Sequence, residues 1–172
     1  METVREVLGT RATYAVARVE ELPFGDGSFD VVIANHMLFH VEDRRRAFSE
    51  IRRVLRRGGM LTATTVGRAH LRELRELAPP QPGSQFERTR ERFTAESARE
   101  ELAPYFTDVS VDRYPGALRV TDADAVVAFV RSRGGETAER LALVREHVAT
   151  AIARDGCYLV TVSTAQIRCR KP

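Results

Sequence analysis

The chain has no tryptophan and little cysteine: among 172 residues only Cys157 and Cys169 carry thiols. Their spacing matches neither a metal knuckle nor a C-x-x-C redox pair, which argues against a disulfide scaffold, a thiolate metal site or dithiol chemistry. Both are read as small apolar residues of one half-buried strand. The histidines, His36, His40, His70 and His147, are too scattered for a metal-ligand pattern, and no metal is expected. Long apolar runs are missing too. None approaches the roughly 20 residues that cross a bilayer. The charged start METVREVLGTR has no secretory apolar core, so the cytoplasm is the expected compartment. Lysine is nearly absent, Lys171 being the only one. The net charge of +3 therefore rests on arginine, concentrated at Arg44-Arg45-Arg46, Arg52-Arg53 and Arg56-Arg57. These fall on the polar side of a helix whose apolar side is Ala47, Phe48, Ile51 and Leu55, and Glu50 pairs part of that face. A solvated helix face is expected there. No motif in the chain reads bases, so nucleic acid is not an expected partner.

What is present is an alternation of strand and helix patterns. Residues 2–9 read as the end of a helix stopped by Gly9, and residues 13–19 (TYAVARV) as a strand. Residues 29–35 (FDVVIAN) are apolar from Val31 to Ala34, as suits a strand covered on both faces of a parallel sheet. Asp43 caps a helix over 44–57 that Gly58-Gly59 ends, and residues 60–66 (MLTATTV) form the next strand. Strand, helix and strand in this order make a βαβ unit and an open parallel sheet. Beyond it, a helix over 68–77 runs into Pro79, Pro80, Pro82 and Gly83, which open an irregular segment to about Arg88, either a lid or a plain loop. Thr94 caps a short helix ended by Pro104, and residues 109–114 alternate like a strand. A capping box at residues 121–124 precedes a helix over 125–131. A longer helix covers 136–153, and residues 157–169 form a final strand, predicted antiparallel.

One stretch carries a resemblance. Glu20-Glu21-Leu22-Pro23-Phe24 followed by Gly25-Asp26-Gly27-Ser28-Phe29-Asp30-Val31-Val32 resembles class I S-adenosylmethionine-dependent methyltransferases, above all the quinone-biosynthesis branch. The later RRVLRRGGMLTATT is similar to the phrase with which that family ends a helix before its fifth strand. The resemblance is close over residues 1–66 and looser afterwards. It implies S-adenosylmethionine as cofactor and a small molecule as methyl acceptor. It aligns the turn Ala17, Arg18, Val19 and Glu20 with the one that lies against the adenine. Many members have an acidic residue where Arg18 stands. Arg18 cannot accept a hydrogen bond, so that contact is lost or remade by Glu20. The resemblance further implies that Ala34, Asn35 and His36 wall the methionine end, and that His40 matches a histidine frequent after the fourth strand. Open parallel sheets bind ligands beyond the carboxyl ends of their strands, where Asn35 and His36 fall. His36 and His40 are the candidates for a general base, needed only if the acceptor arrives protonated; capping or packing is the alternative role.

The family's glycine-rich loop after its first strand, and the acidic residue that grips the ribose, have no counterpart ahead of residue 13. The expectation is a single domain over 1–172, the C-terminal part of the fold, arising from a truncated gene or an internal start. It divides into a cofactor-side core (1–66), a substrate-cap and connecting region (67–120), and C-terminal helices with the final strand (121–172). The expected architecture is α/β: a truncated Rossmann-like sheet of about five strands in the order 3-4-5-7-6, the last antiparallel, with helices on both faces. Residues 29–35 would then lie at an open edge, where either the strand at 13–19 slides in or a second copy docks as a homodimer. The expected function is methyl transfer with impaired cofactor binding. The alternative is a non-catalytic interaction module. Phe86, Phe93, Tyr105, Phe106 and Tyr114 either line an apolar acceptor site or belong to the core.

Overall fold

The computed structural model describes residues 10, 12–79 and 93–172. The helix expected at 2–9 and most of the irregular segment after Pro79, with Phe86, lie outside the described residues. The elements are β1 (Phe29–Asn35), a single 3-10 turn (Leu38–His40), α1 (Arg44–Val54), β2 (Leu55–Val66), α2 (Arg72–Leu77), α3 (Ala98–Leu102), β3 (Thr107–Val120), α4 (Ala123–Ser132), α5 (Ala138–Asp155) and β4 (Tyr158–Arg170).

The four strands form one sheet in the order β1-β2-β4-β3. The β1–β2 pair is parallel, with Asn35 opposite Thr64. Strand β4 runs antiparallel to both of its neighbours. In the numbering of the expected sheet this is 4-5-7-6, with the antiparallel strand in the expected place. The fifth strand is absent among the described residues: residues 13–17 belong to no strand, and only an isolated bridge joins Arg18 to Glu21. Val16 is 81% exposed. A strand needs a ladder partner and a face to bury. The Arg18–Glu21 turn instead sends the chain towards α1 before any pairing with β1 begins.

Three boundaries move for local reasons. Helix α1 ends at Val54 rather than 57, and Leu55 is already extended. Gly58 (φ +70) and Gly59 shape the start of β2 rather than the end of the helix; a Cβ on Gly59 would lie 2.8 Å from the Arg56 carbonyl oxygen. Lys171 Nζ instead donates to the Leu55 carbonyl at 2.6 Å, a cation at the carbonyl end of α1. Strand β3 runs on through Pro115 to Val120 because it is an edge strand, where a missing N–H costs nothing. Asp122 caps α4 in place of Thr121, and Thr137 caps α5.

Two cores sit on opposite faces of the sheet, and β4 serves both. Ile167 and Cys169 pack with Phe48, Ile51, Leu61, Leu102 and Phe106 under α1 and α3. Val160, of opposite parity and so opposite face, packs with Val126, Val130, Val144 and Val148 under α4 and α5. Strand β1 is not covered on both faces as its apolar run suggests. Ala34 is buried towards α1, but Val31 and Ile33 are 42% and 66% exposed. Phe93 and Phe106 are core residues, Phe93 and Tyr105 pack their rings against Phe48, and Tyr114 lies exposed on the β3 edge.

Candidate functional site

The stretch that precedes β1 is held to α1 by an arginine clamp. Arg53 donates to the carbonyls of Phe24 (2.8 Å) and Leu22 (3.0 Å), to Asp26, and to Glu50. Glu50 in turn accepts from the Leu22 N–H at 2.9 Å. The Arg53 guanidinium, then the Leu22 N–H, hold the Glu50 carboxyl at about 2, well below its ordinary 4.5. Arg46 donates to the Glu20 carbonyl at 2.9 Å, and Arg56 pairs with Asp30. The arginines of α1 and its C-terminal flank therefore spend much of their charge inside the protein, with Arg44 bonded to Glu101 as well.

This clamp places Arg18, Val19 and Glu20 in a tight turn. The Glu20 carboxylate is largely buried and accepts from Arg18 at 3.4 Å. Arg18, Glu20, Glu21, Glu42, Asp43 and Arg46 line a hollow of about 360 Å³. Val19 packs on the same core as Ala34, Met37 and Phe39. That shared core links the turn to the tip of β1, although no hydrogen bond among the described residues joins the two groups.

At the tip of β1, Asn35 and His36 are open to solvent. His36 has φ +48, a left-handed conformation costing a non-glycine residue about 1–2 kcal/mol. Its N–H donates to both the carbonyl and the hydroxyl oxygen of Thr64, each at 3.1 Å. The Thr64 hydroxyl also reaches Asn35 Oδ1 at 3.4 Å. Phe39 lies 6.4 Å from the His36 ring and 4.5 Å from the His40 ring, so it gathers both histidines on one side of the tip.

The adjoining turn after β2 was not legible as part of the site. Ser163 donates its N–H to His70 Nδ1 at 3.2 Å, and Leu71, also left-handed, donates to the Thr161 carbonyl at 2.8 Å. Glu96 accepts from the Arg68 N–H and from Arg113. Burial lowers the His70 pKa, and the nearby charges of Arg75 and His36 lower it further, both favouring the neutral imidazole. Burial alone would raise Glu73, but bonds from the Thr161 hydroxyl and N–H bring it to about 2. The one signal for Thr64 was its place at the end of the strand beside β1. Nothing in the local sequence signalled His70, since its anchor lies 93 residues away. Among the described residues no cluster of side chains forms a metal site, and no helix is long and apolar enough to cross a membrane. A larger groove of about 850 Å³ lies against Leu143, His147 and Leu159, beside the start of β4, which runs on past the Val66–Thr164 pair at the end of β2.

Residues 1–63 match the family model described as a methyltransferase domain. The chain is 31% identical over 141 residues to 27-O-demethylrifamycin SV methyltransferase of Amycolatopsis mediterranei, across 79% of this chain and 46% of that protein. It is 43% identical over 51 residues to a ubiquinone/menaquinone biosynthesis C-methyltransferase of a Geobacter species, across 30% of this chain and 22% of that protein. The chain thus spans less than half the length of these curated relatives. Among solved structures, the YcgJ protein of Bacillus subtilis superposes with a TM-score of 0.61 at 18% identity, covering 99% of this chain and 76% of that one. Phosphoethanolamine N-methyltransferase 2 of Haemonchus contortus, solved with S-adenosyl-L-methionine, gives 0.54 at 21% identity, covering 99% and 40%. These likenesses agree with the parallel β1–β2 pair and the antiparallel β4.

Proposed function

We propose, from the premise that this chain is of class I S-adenosylmethionine-dependent methyltransferase lineage, that it carries the acceptor side and part of the cofactor side of an enzyme that methylates a small molecule. The observation that carries this reading is the tip of β1. There a left-handed His36 is kept in a costly conformation, exposed, at the carboxyl end of a parallel strand. Backbone strain of this kind concentrates where a ligand is handled. The residues present suit part of the cofactor. Glu20 offers a carboxylate at the turn assigned to the adenine, in place of the Arg18 guanidinium, which has no acceptor; Val19 offers an apolar surface beside it. Asn35 and His36 would stand beside the methionine end, with His40 behind Phe39.

S-adenosylmethionine supplies an electrophilic methyl group, so the protein's task is to hold the acceptor in line and keep water out. His36 or His40 would take a proton from an acceptor that arrives protonated. Residues 1–19 contain a single glycine, Gly9, and no glycine-rich loop. We therefore propose that these residues alone bind the cofactor weakly. Losing three or four hydrogen bonds, at about 1–3 kcal/mol each, moves a micromolar binder to millimolar or beyond. Isothermal titration with S-adenosylhomocysteine tests this. A dissociation constant near millimolar fits the reading, micromolar binding contradicts the impairment, and no binding at all contradicts the site.

The open edge of β1 favours a second reading, a non-catalytic module that docks a partner, most simply a second copy of this chain. It predicts a homodimer with no cofactor affinity. Nucleic acid is not a proposed partner, because Arg44, Arg46, Arg53 and Arg56 already pair within the protein. The cytoplasm remains the proposed compartment.

A further inference from the structure

The free polar groups around the strand tips are not balanced. The acceptors are used internally. Asn35 Oδ1 faces the Thr64 hydroxyl, Glu96 accepts from Arg68 and Arg113, and Glu73 accepts from the N–H and hydroxyl of Thr161. What is left over is donors: the Asn35 amide nitrogen and the distal nitrogen of His70, neither of which has a partner among the described residues.

His70 is the better defined of the two. Its Nδ1 accepts the Ser163 N–H, so in the neutral ring the proton must reside on Nε2. The turn that carries it is pinned three further times: Gly67 N–H to the Ser163 carbonyl (2.9 Å), His70 N–H to the Gly67 carbonyl (3.0 Å) and Leu71 N–H to the Thr161 carbonyl (2.8 Å). Gly67 lies close against β4: a Cβ there would meet the Ser163 hydroxyl at 2.4 Å, so that hydroxyl would have to turn away. The imidazole is half-buried, and burial, then the nearby charges of Arg75 and His36, lower its pKa.

We propose that His70 is an acceptor-binding residue: its Nε2–H, fixed as a donor by Ser163, binds an anionic oxygen of the methyl acceptor, a phenolate or carboxylate, next to His36. This rests on the methyltransferase reading for what the bound molecule is, but not for the binding itself. A donor held by a neutral ring favours a substrate oxygen without adding a second fixed charge beside Arg75. His70 would orient the oxygen, and an acceptor bound as its anion needs no base to take a proton from it.

The test is a titration of the full chain with 4-nitrophenolate, and with nitrobenzene as a neutral control, followed by the imidazole nitrogen and carbon-bound proton signals of the histidines. The expected result is an acceptor-type Nδ1 on His70, with shifts at His70 and His36 on adding 4-nitrophenolate and none with nitrobenzene. His70→Asn retains an oxygen that can accept the Ser163 N–H but lacks the distal donor. It should weaken 4-nitrophenolate by about tenfold or more, the usual worth of a hydrogen bond to a charged group, while the Ser163 amide signal stays in place. Equal affinity in His70→Asn, or nitrobenzene binding as tightly as the phenolate, would overturn the proposal. A separate S-adenosylhomocysteine titration distinguishes the two failures. Loss of nucleoside binding with intact, His70-dependent phenolate binding leaves this inference standing and removes the methyltransferase reading.

Discussion

The two edges of the sheet are built differently. Strand β3 is a finished edge: fourteen residues interrupted by Pro115, with a bulge between Thr107 and Ser110 and outward charges such as Asp112, Arg113 and Arg119. Such features keep an edge from pairing with another chain. Strand β1 is short and apolar, and its one charge, Asp30, is tied to Arg56. Both edges expose leucine-sized side chains, Ile33 on one and Leu118 on the other, but only β3 surrounds them with protection. The less protected edge is also the one whose tip carries the strained His36. Stability and chemistry are therefore distributed unequally: β3 and β4 pair over most of their length and reach both cores, while β1 packs on one core and has one neighbour strand.

The strongest way to break this contrast is Phe48→Ala. Phe48 is the aromatic centre of the packing between α1, Phe93 and Tyr105, and its loss should cost about 3–5 kcal/mol in urea unfolding. Amide exchange in β1 should rise before exchange in β3 does; simultaneous loss would mean that the two sides are one cooperative unit. Acid gives a smaller effect. The folded Glu50 carboxyl sits at about 2 against 4.5, so its contribution is complete above pH 4.5 and is lost as the pH falls towards 2. Glu50→Gln should flatten part of that decline in the unfolding midpoint and loosen the loop before β1. Parallel declines in variant and wild type would show that the clamp is not the titrating element. The smallest effect on stability belongs to the edges themselves. Ile33→Lys and Leu118→Lys should each stay within about 0.5 kcal/mol of wild type. In sedimentation, Ile33→Lys should reduce any concentration-dependent association and Leu118→Lys should not. An equal effect from both would remove the distinction between the edges.

Much of the first half was legible because its signals are local. The apolar run of β1, the Asp43 cap and the apolar stripe of α1 each constrain their own neighbourhood, and the motif at 20–32 points to one family. Residues 13–19 misled because strand propensity says nothing of whether a partner ladder exists. Gly58-Gly59 misled because glycine tolerates a left-handed turn at a strand start as readily as at a helix end. Strand β3 was drawn too short because only the fold reveals that Pro115 lies on an edge. Within the site, Asn35 and His36 followed from the rule for parallel sheets. Thr64 and His70 did not, since their roles depend on register between strands distant in sequence.

The central claim is that the carboxyl tip of β1 and the turn at Arg18–Glu20 face one nucleoside ligand. The most direct measurement is a map of amide shifts on adding S-adenosylhomocysteine to the labelled chain at millimolar concentration. The account predicts that the shifts concentrate at Arg18, Val19, Glu20, Asn35, His36 and His40. Shifts confined to the groove beside Leu143 and Leu159, or none at these six residues at saturation, would contradict it.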